Sequence, residues 1–247
     1  MTTVTPVTPS RHAAMRWRRF ASYAFAADRA VIPLVGAELG RAAVAFPVAF
    51  LRQGESFVPV AVLGVESNRN LFVGEDGRWL GGYVPAALRG YPFVLVRTED
   101  GRHALCVDEA SGLVSDGPEG ERFFEADGTP STAMSQVLDF LTKVEQSRAV
   151  TAGACAALQA RKLIEPWRIT LKSREGERRL EGLFRVNESA LNALDDEAFL
   201  TLRKAGALPI AYAQLLSMQQ RRLLEAVSAH APPVQPESAL DLSVLNS

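Results

Sequence analysis

Short apolar runs separated by turn segments fill the first half of the chain, and they constrain its fold more than any other feature. The runs lie at 44–51, 57–63 and 93–96, and each has the length of a strand. The turn Thr98–Gly101 predicts a hairpin between the last run and residues 103–107. This spacing is typical of an antiparallel sheet, and a curl toward a barrel is left open as an alternative.

From residue 129 onward the apolar period changes from two toward 3.6, which indicates helices. One helical face holds Met134–Val144, and a second helix is expected from Thr151 to before Pro166. A β-hairpin follows within 167–186, and Asn187 and Asp195 are placed to cap two further helices. The sequence therefore predicts an α+β fold, with an antiparallel sheet in the first half and helices plus a β-hairpin in the second half.

The composition is that of an ordinary globular protein. The chain has 247 residues, of which 47% are hydrophobic and 22% are charged, which is enough for a sizeable core. Because no composition break divides it, we expect one α+β domain over residues 17–230, with flexible tails at 1–16 and 231–247. The formal net charge of −1 gives no general attraction to nucleic acid, so no nucleic acid is expected as a partner. A homo-oligomer is left open.

The sequence offers no integral membrane segment and only a poor export signal. No apolar run approaches the ~18 residues that a transmembrane helix needs. Four arginines between residues 11 and 19 precede the apolar stretch 20–27, as in a signal peptide, but that stretch is short and runs into Asp28. These observations predict a cytoplasmic location, with export by a dedicated route as the alternative.

Motifs of the common catalytic and metal sites are missing from the sequence. It has neither the Gly-x-Ser-x-Gly elbow of hydrolases nor a glycine-rich phosphate loop. Two of its three histidines, His12 and His230, fall in or beside the predicted tails. The two cysteines, Cys106 and Cys155, have the apolar neighbours of buried thiols. We therefore expect no metal ion and no cofactor, and we assign no catalytic residue.

Residues 64–93 concentrate aromatic, amide and arginine side chains among turn glycines and prolines. Amphipathic aromatics beside arginine can line a groove for a peptide or a small ligand. A sheet corner whose aromatics fill the core would leave the same pattern. The candidate ligand-binding residues are Arg69, Asn70, Trp79, Tyr83, Arg89 and Tyr91, together with Asp108.

Asp108 is the best-placed carboxylate for acid–base chemistry, because it directly follows an apolar strand. Together with Arg89, Tyr83 and His103 it could form an enzyme site without a recognisable motif. Such a site requires Asp108, Arg89 and Tyr83 to converge within hydrogen-bond distance. An open aromatic surface, with these side chains apart, would instead favour a binding protein.

Residues spread over most of the chain, roughly 17–227, form a recognisable pattern. They are Val31–Leu34, Glu38, Phe46–Val48, Asn70–Phe72, Trp79, Tyr83–Pro85, Arg89, Tyr91–Phe93, Cys106–Asp108, Glu121–Phe124, Asp127–Gly128 and Leu208–Leu216. In this pattern the chain resembles the SapC family of bacterial proteins, which is named for a surface-layer-associated member.

The resemblance implies an accessory role and no defined reaction. Members of the family tend to be encoded near outer-membrane receptors, cupin-like proteins and flavin-dependent halogenases, which suggests a link to the cell surface or to uptake. We therefore expect a non-enzymatic interaction protein that binds a peptide, a protein or a small ligand. The alternatives are an enzyme that acts on a small molecule or peptide by acid–base chemistry, and a structural surface-layer component.

Overall fold

The computed structural model of the chain describes residues 4–66, 68–173 and 176–230, with the backbone alone for Lys172, Ser173 and Arg178. The predicted C-terminal tail, 231–247, lies outside the described residues. The strands are β1 (Thr5–Pro6), β2 (Arg16–Trp17), β3 (Val31–Pro33), β4 (Val48–Gln53), β5 (Ser56–Val62), β6 (Phe93–Arg97), β7 (His103–Val107), β8 (Val114–Ser115), β9 (Glu121–Arg122), β10 (Ile164–Pro166), β11 (Ile169–Ser173), β12 (Gly176–Leu180) and β13 (Leu183–Val186).

Helices are concentrated in the second half of the chain. They are α1 (Pro9–His12), α2 (Leu39–Ala42), α3 (Ala86–Arg89), α4 (Thr132–Ala160), α5 (Glu188–Asn192), α6 (Asp196–Lys204), α7 (Ala207–Ser217) and α8 (Arg221–His230). Short 3-10 turns lie at Ala24–Ala26, Gly36–Glu38, Glu109–Ser111 and Met218–Gln220. Of the helices among the described residues, none combines the length and the apolar character needed to cross a membrane.

The strand pairs of the described residues are antiparallel, as the sequence predicts. They form a large sheet with the order β10–β13–β4–β5–β3 and the smaller sheets β1–β7–β6, β8–β2–β9 and β11–β12. The α+β class is confirmed. The barrel-like alternative is wrong, because no ladder among the described residues joins β3 to β10 and the large sheet stays open.

The described chain divides into two compact units. The first unit consists of residues up to 21 and of 88–146, and the second consists of 22–87 and of residues from 147 onward. The sequence analysis predicts one domain over 17–230. Two of the three boundaries fall inside α3 and α4, and a boundary within a helix leaves no glycine, proline or charge signal in the sequence.

Aromatic packing holds the first unit together. The rings of Trp17 and Phe93 meet edge to face with centroids 4.9 Å apart, and Phe123 lies 6.0 Å from Phe93. Met134, near the start of α4, belongs to the same buried cluster. Ser131 caps α4, since its Oγ accepts a hydrogen bond from the Met134 N–H at 3.1 Å. The cap fixes the start of α4, where Val137 and Leu141 also pack against the aromatic core.

Residues 4–16, which the sequence assigns to a flexible tail, contain regular elements. Strand β1 pairs with β7, and α1 follows it. His12 of α1 is fully buried: its Nδ1 accepts a hydrogen bond from the Thr8 N–H at 3.2 Å, and its Nε2 lies 3.1 Å from Glu109 Oε1. Because Nδ1 is the acceptor, Nε2 carries the proton that is donated to Glu109. A two-residue strand has no periodicity, so the sequence does not reveal it.

Arg11 also binds Glu109, with nitrogen–oxygen distances of 2.6 and 2.7 Å, and these hydrogen bonds hold the pKa of the Glu109 carboxyl below its ordinary value. A lowered folded-state pKa adds stability above the unfolded pKa of about 4.3, and this stability is lost as the pH falls through the folded value. The Glu109→Gln variant should therefore show a flatter decline of unfolding free energy between about pH 5 and pH 3.

Urea unfolding followed by circular dichroism at each pH measures this decline. The control is Glu125→Gln, which changes an exposed glutamate of the same unit and should keep the wild-type profile. A wild-type profile in Glu109→Gln would contradict the expectation.

The second unit is built on the hairpin β4–β5 and on the strands that extend it. Phe50 of β4 is fully buried and lies opposite Phe184 of β13. Gln214 fixes α7 on this sheet, because its amide donates to the Val48 carbonyl at 3.1 Å and accepts from the Val186 N–H at 2.9 Å. One buried amide thus satisfies backbone groups of two neighbouring strands.

The second half of the chain contains the predicted kinds of element, but it differs from the prediction in the partner of one strand and in the number of helices. A hairpin is present as β11–β12, whereas β13 joins the large sheet beside β4. The alternation along 180–186 is unbroken, so it does not reveal the change of partner. Helix α4 is a single helix of 29 residues where the sequence predicts two. Asn187 and Asp195 cap α5 and α6 as predicted, by accepting from Ala190 and Ala198 N–H.

Candidate functional site

The seven candidate residues fall into two sets. Arg69, Asn70, Trp79 and Tyr83 belong to the second unit, and Arg89, Tyr91 and Asp108 belong to the first. The two sets have different surroundings and different roles.

A buried carboxylate, Glu38, organises the second set. It lies at the end of a 3-10 turn and is only 4% exposed. Its Oε2 accepts hydrogen bonds from the Tyr83 hydroxyl at 2.9 Å and from the Ala86 N–H at 2.7 Å. Its Oε1 accepts from the Val35 N–H at 3.0 Å. A buried charge is tolerated only with such partners, so Glu38 holds the segment 83–86 in place.

Aromatic rings surround Trp79. Ring centroids lie 5.4 Å away in Tyr23, 6.1 Å away in Phe46 and 6.2 Å away in Phe72. Phe46 and Phe72 are buried, whereas Trp79 and Tyr23 are half-buried, and Leu80 is 62% exposed. Phe25 extends the group, with its ring 6.1 Å from that of Tyr23. We call Tyr23, Phe25, Trp79, Leu80 and Tyr83 the aromatic surface.

A tight turn presents Trp79 at this surface. Val73 and Trp79 form an isolated antiparallel bridge. Between them Gly77 has a φ of 76°, and an added Cβ would lie 2.0 Å from Ser22 Oγ, so this position requires glycine. The Tyr23 N–H donates to the Gly77 carbonyl at 2.8 Å. The turn and the segment that carries Tyr23 are therefore fixed against each other.

Asn70 has a structural role and is not a surface contact. Its side chain is buried, its Nδ2 donates to the Ala26 carbonyl at 3.1 Å, and its Oδ1 accepts from the Phe72 N–H at 2.9 Å. Both polar groups of the side-chain amide are therefore bonded inside the second unit, and the buried side chain is not placed to contact a ligand. Arg69 is half-buried, with Nη1 3.9 Å from Glu66 Oε2.

Two candidates of the first unit are neighbours. The Tyr91 hydroxyl donates to Asp108 Oδ2 at 3.5 Å, and Asp108 Oδ1 accepts from the Ala110 N–H at 3.0 Å. Asp108 is buried and caps the 3-10 turn that follows it. The Arg89 guanidinium lies over the Phe140 ring, 5.1 Å from its centroid. Each group thus has a packing or capping partner within its own unit.

His103 and Asp108 do not form an acid–base pair with each other. His103 begins β7 and Asp108 follows its end, so they are five positions apart, which is roughly 16 Å of extended strand. His103 Nε2 instead lies 3.8 Å from Glu145 Oε1. Two of the proposed partners of an enzyme site, His103 and Asp108, are therefore held at opposite ends of one strand.

Thiol and metal chemistry receive no support from the described residues. Burial raises the pKa of both thiols, and it raises that of Cys155 to about 12. A thiol with so high a pKa is a poor nucleophile at neutral pH. Within 4–66, 68–173 and 176–230, no three His, Cys, Asp or Glu side chains are grouped as metal ligands.

Comparison with protein families shows a match to the SapC family over residues 7–224. The chain belongs to the SapC family. No curated protein and no solved structure matches it. The resemblance seen in the sequence is confirmed, and three residues of the family pattern, Glu38, Asn70 and Tyr83, form internal hydrogen bonds of the second unit. At these three positions, the family pattern therefore corresponds to residues that stabilise the fold.

Sequence reasoning missed three members of the aromatic surface and the role of Glu38. Tyr23 and Phe25 lie in the stretch that resembles a signal peptide, and the i, i+2 spacing of the two rings is their only signal. Leu80 looks like any apolar residue next to Trp79. A single glutamate between apolar runs predicts a buried carboxylate that accepts hydrogen bonds. This was the signal in the sequence that could have identified Glu38.

The Glu38→Ala variant should lower the free energy of unfolding by about 3 kcal/mol, because three donors lose a buried acceptor. The Tyr83→Phe variant removes one donor alone and should cost about 1 kcal/mol. Urea denaturation of both variants gives the comparison. Equal losses in the two variants would show that Glu38 does not act as a shared acceptor.

Proposed function

We propose that this SapC-family chain is a non-enzymatic binding protein and that its aromatic surface contacts a peptide or protein partner. The observation that carries the proposal is Leu80, an apolar side chain 62% exposed directly beside Trp79. Trp79 is held by the hydrogen bond from its Nε1 to the Tyr83 carbonyl at 2.7 Å. A fixed aromatic group loses little conformational entropy on binding, which favours its use in recognition.

The surroundings of the aromatic surface support a macromolecular partner over a small ligand. Arg78 and Asp76 are exposed on the same turn and form an ion pair with a nitrogen–oxygen distance of 3.1 Å. An apolar, aromatic centre beside charged residues is the usual anatomy of a protein interface. Small-molecule sites are instead concave and enclose most of the ligand.

The first unit supports the non-enzymatic part of the proposal. Asp108 caps a turn, Arg89 stacks on Phe140 and His103 pairs with Glu145. Acid–base catalysis needs such groups around one reacting atom. Because Asp108, Arg89 and His103 each contact a different partner, we favour a structural role for each of them.

A place at the cell surface or in outer-membrane uptake is a further proposal that comes from the family. A surface-layer component would assemble into large arrays, whereas an accessory protein would remain a discrete monomer or small oligomer. Light scattering of the purified chain separates the two, and we expect the discrete particle. Large arrays would favour the surface-layer role.

Site-specific photo-crosslinking tests the aromatic surface. A benzophenone amino acid replaces Leu80 in the full chain, expressed in the cell that naturally produces it. The matched position is Leu200, another exposed leucine, which lies on α6. We expect irradiation to attach a partner at position 80 and not at position 200, because only the first adjoins Trp79.

Purified variants complete the test. The Leu80→Arg variant should no longer bind the partner that crosslinking identifies, since a charge at the centre of an apolar contact is desolvated without compensation. Leu200→Arg should retain it. Identical adducts from both positions, or no adduct from position 80, would overturn the proposal.

A further inference from the structure

Two arginines of the first unit face each other across neighbouring strands. Arg16 of β2 lies directly opposite Arg122 of β9 in the sheet β8–β2–β9. Residues directly opposite in an antiparallel pair project from the same face, with Cβ atoms about 5 Å apart. The next pair in the register is Trp17 with Glu121, and Trp17 is buried in the aromatic core. By alternation, the two arginines therefore project from the opposite, outer face.

Arg16 is turned toward the strand of its partner. Its Nη1 donates to the Gly120 carbonyl at 3.2 Å, and Gly120 directly precedes β9. This bond uses one of the five N–H donors of the guanidinium and leaves the others available. The Arg122 guanidinium has no ion pair or hydrogen bond with the described residues.

Nearby carboxylates do not neutralise the pair. Glu121 lies opposite Trp17, one position along β9, and forms no ion pair with either arginine among the described residues. Glu119 is engaged with Arg18, with a nitrogen–oxygen distance of 3.7 Å. Like charges directly opposite in a sheet are destabilising, and an anion bound between the two guanidinium groups would offset this repulsion.

We propose that Arg16 and Arg122 bind a phosphate group. A carboxylate offers two oxygens, which a single guanidinium fork can occupy, whereas a phosphate dianion presents three terminal oxygens that two forks can share. The charge of the dianion also matches the two guanidinium groups. This site lies in the first unit and is independent of the aromatic surface.

Thermal unfolding tests the site with inorganic phosphate as the probe, at pH 7.5 and at constant ionic strength against sodium chloride. Phosphate should raise the wild-type melting temperature more than chloride does, because a ligand that binds the folded state stabilises it. In the Arg122→Gln variant this difference should be smaller than in the wild type. The control Arg102→Gln removes an equal charge from the same unit, where Arg102 pairs with Asp100, and should keep it.

The chloride arm contains a second readout. Without phosphate, Arg122→Gln should melt at or above the wild-type temperature, because the substitution removes a like-charge repulsion. A simple loss of folding would lower that temperature, so the two explanations are distinguishable. Phosphate titration observed at the arginine Nε–Hε signals by NMR should show about fivefold weaker binding in Arg122→Gln.

Two further probes define the ligand. Sodium acetate should bind more weakly than phosphate, since it lacks the third oxygen. Vesicles of phosphatidic acid, compared with vesicles of phosphatidylcholine, show whether the phosphate group is carried by a membrane lipid or by a small molecule. Equal phosphate effects in the wild type, Arg122→Gln and Arg102→Gln would reflect the general action of the salt and would overturn the site.

Discussion

The Glu38 carboxylate is the interaction on which the second unit and its aromatic surface depend. Removing a carboxylate from water costs several kcal/mol, and this cost is offset only when its acceptors are filled. Here the donors come from Val35 nearby and from Tyr83 and Ala86, which are 45 and 48 residues away in sequence. Each donor that is lost leaves part of the buried charge uncompensated. Glu38 thus joins two segments that are distant in sequence. Trp79 is tied to one of them, because its Nε1 donates a hydrogen bond to the Tyr83 carbonyl.

The fold was largely predictable where local signals agree. The hairpin β6–β7 has its predicted bounds, because its strand periodicity and the turn Thr98–Gly101 indicate the same structure. The caps Asn187 and Asp195 were also readable, since a side-chain acceptor before an apolar period is a local feature. The partner of β13 and the division into two units were not readable. They depend on which distant strand or helix is available, and alternation along one strand does not specify it.

The candidate site was predictable as a region but not residue by residue. The sequence drew attention to residues 64–93, and this stretch does contain Trp79 and Leu80. It also contains Asn70, which has the polar groups of a recognition residue. Its side chain, however, forms hydrogen bonds with backbone groups inside the second unit. Whether an amide faces solvent or a buried carbonyl depends on tertiary structure. Membership of the SapC family adds the constraint that such residues share a fold, and it leaves the partner to be found by experiment.

Hydrogen exchange measured by NMR tests most directly whether Glu38 orders the aromatic surface. In the Glu38→Gln variant, the account predicts faster exchange of the Ala86 amide and, with it, of the Trp79 indole N–H. The ladder amides of β6 and β7, in the first unit, should exchange at the wild-type rate. Unchanged protection of the Trp79 indole beside a deprotected Ala86 amide would contradict the account, because the aromatic surface would then be held independently of the carboxylate.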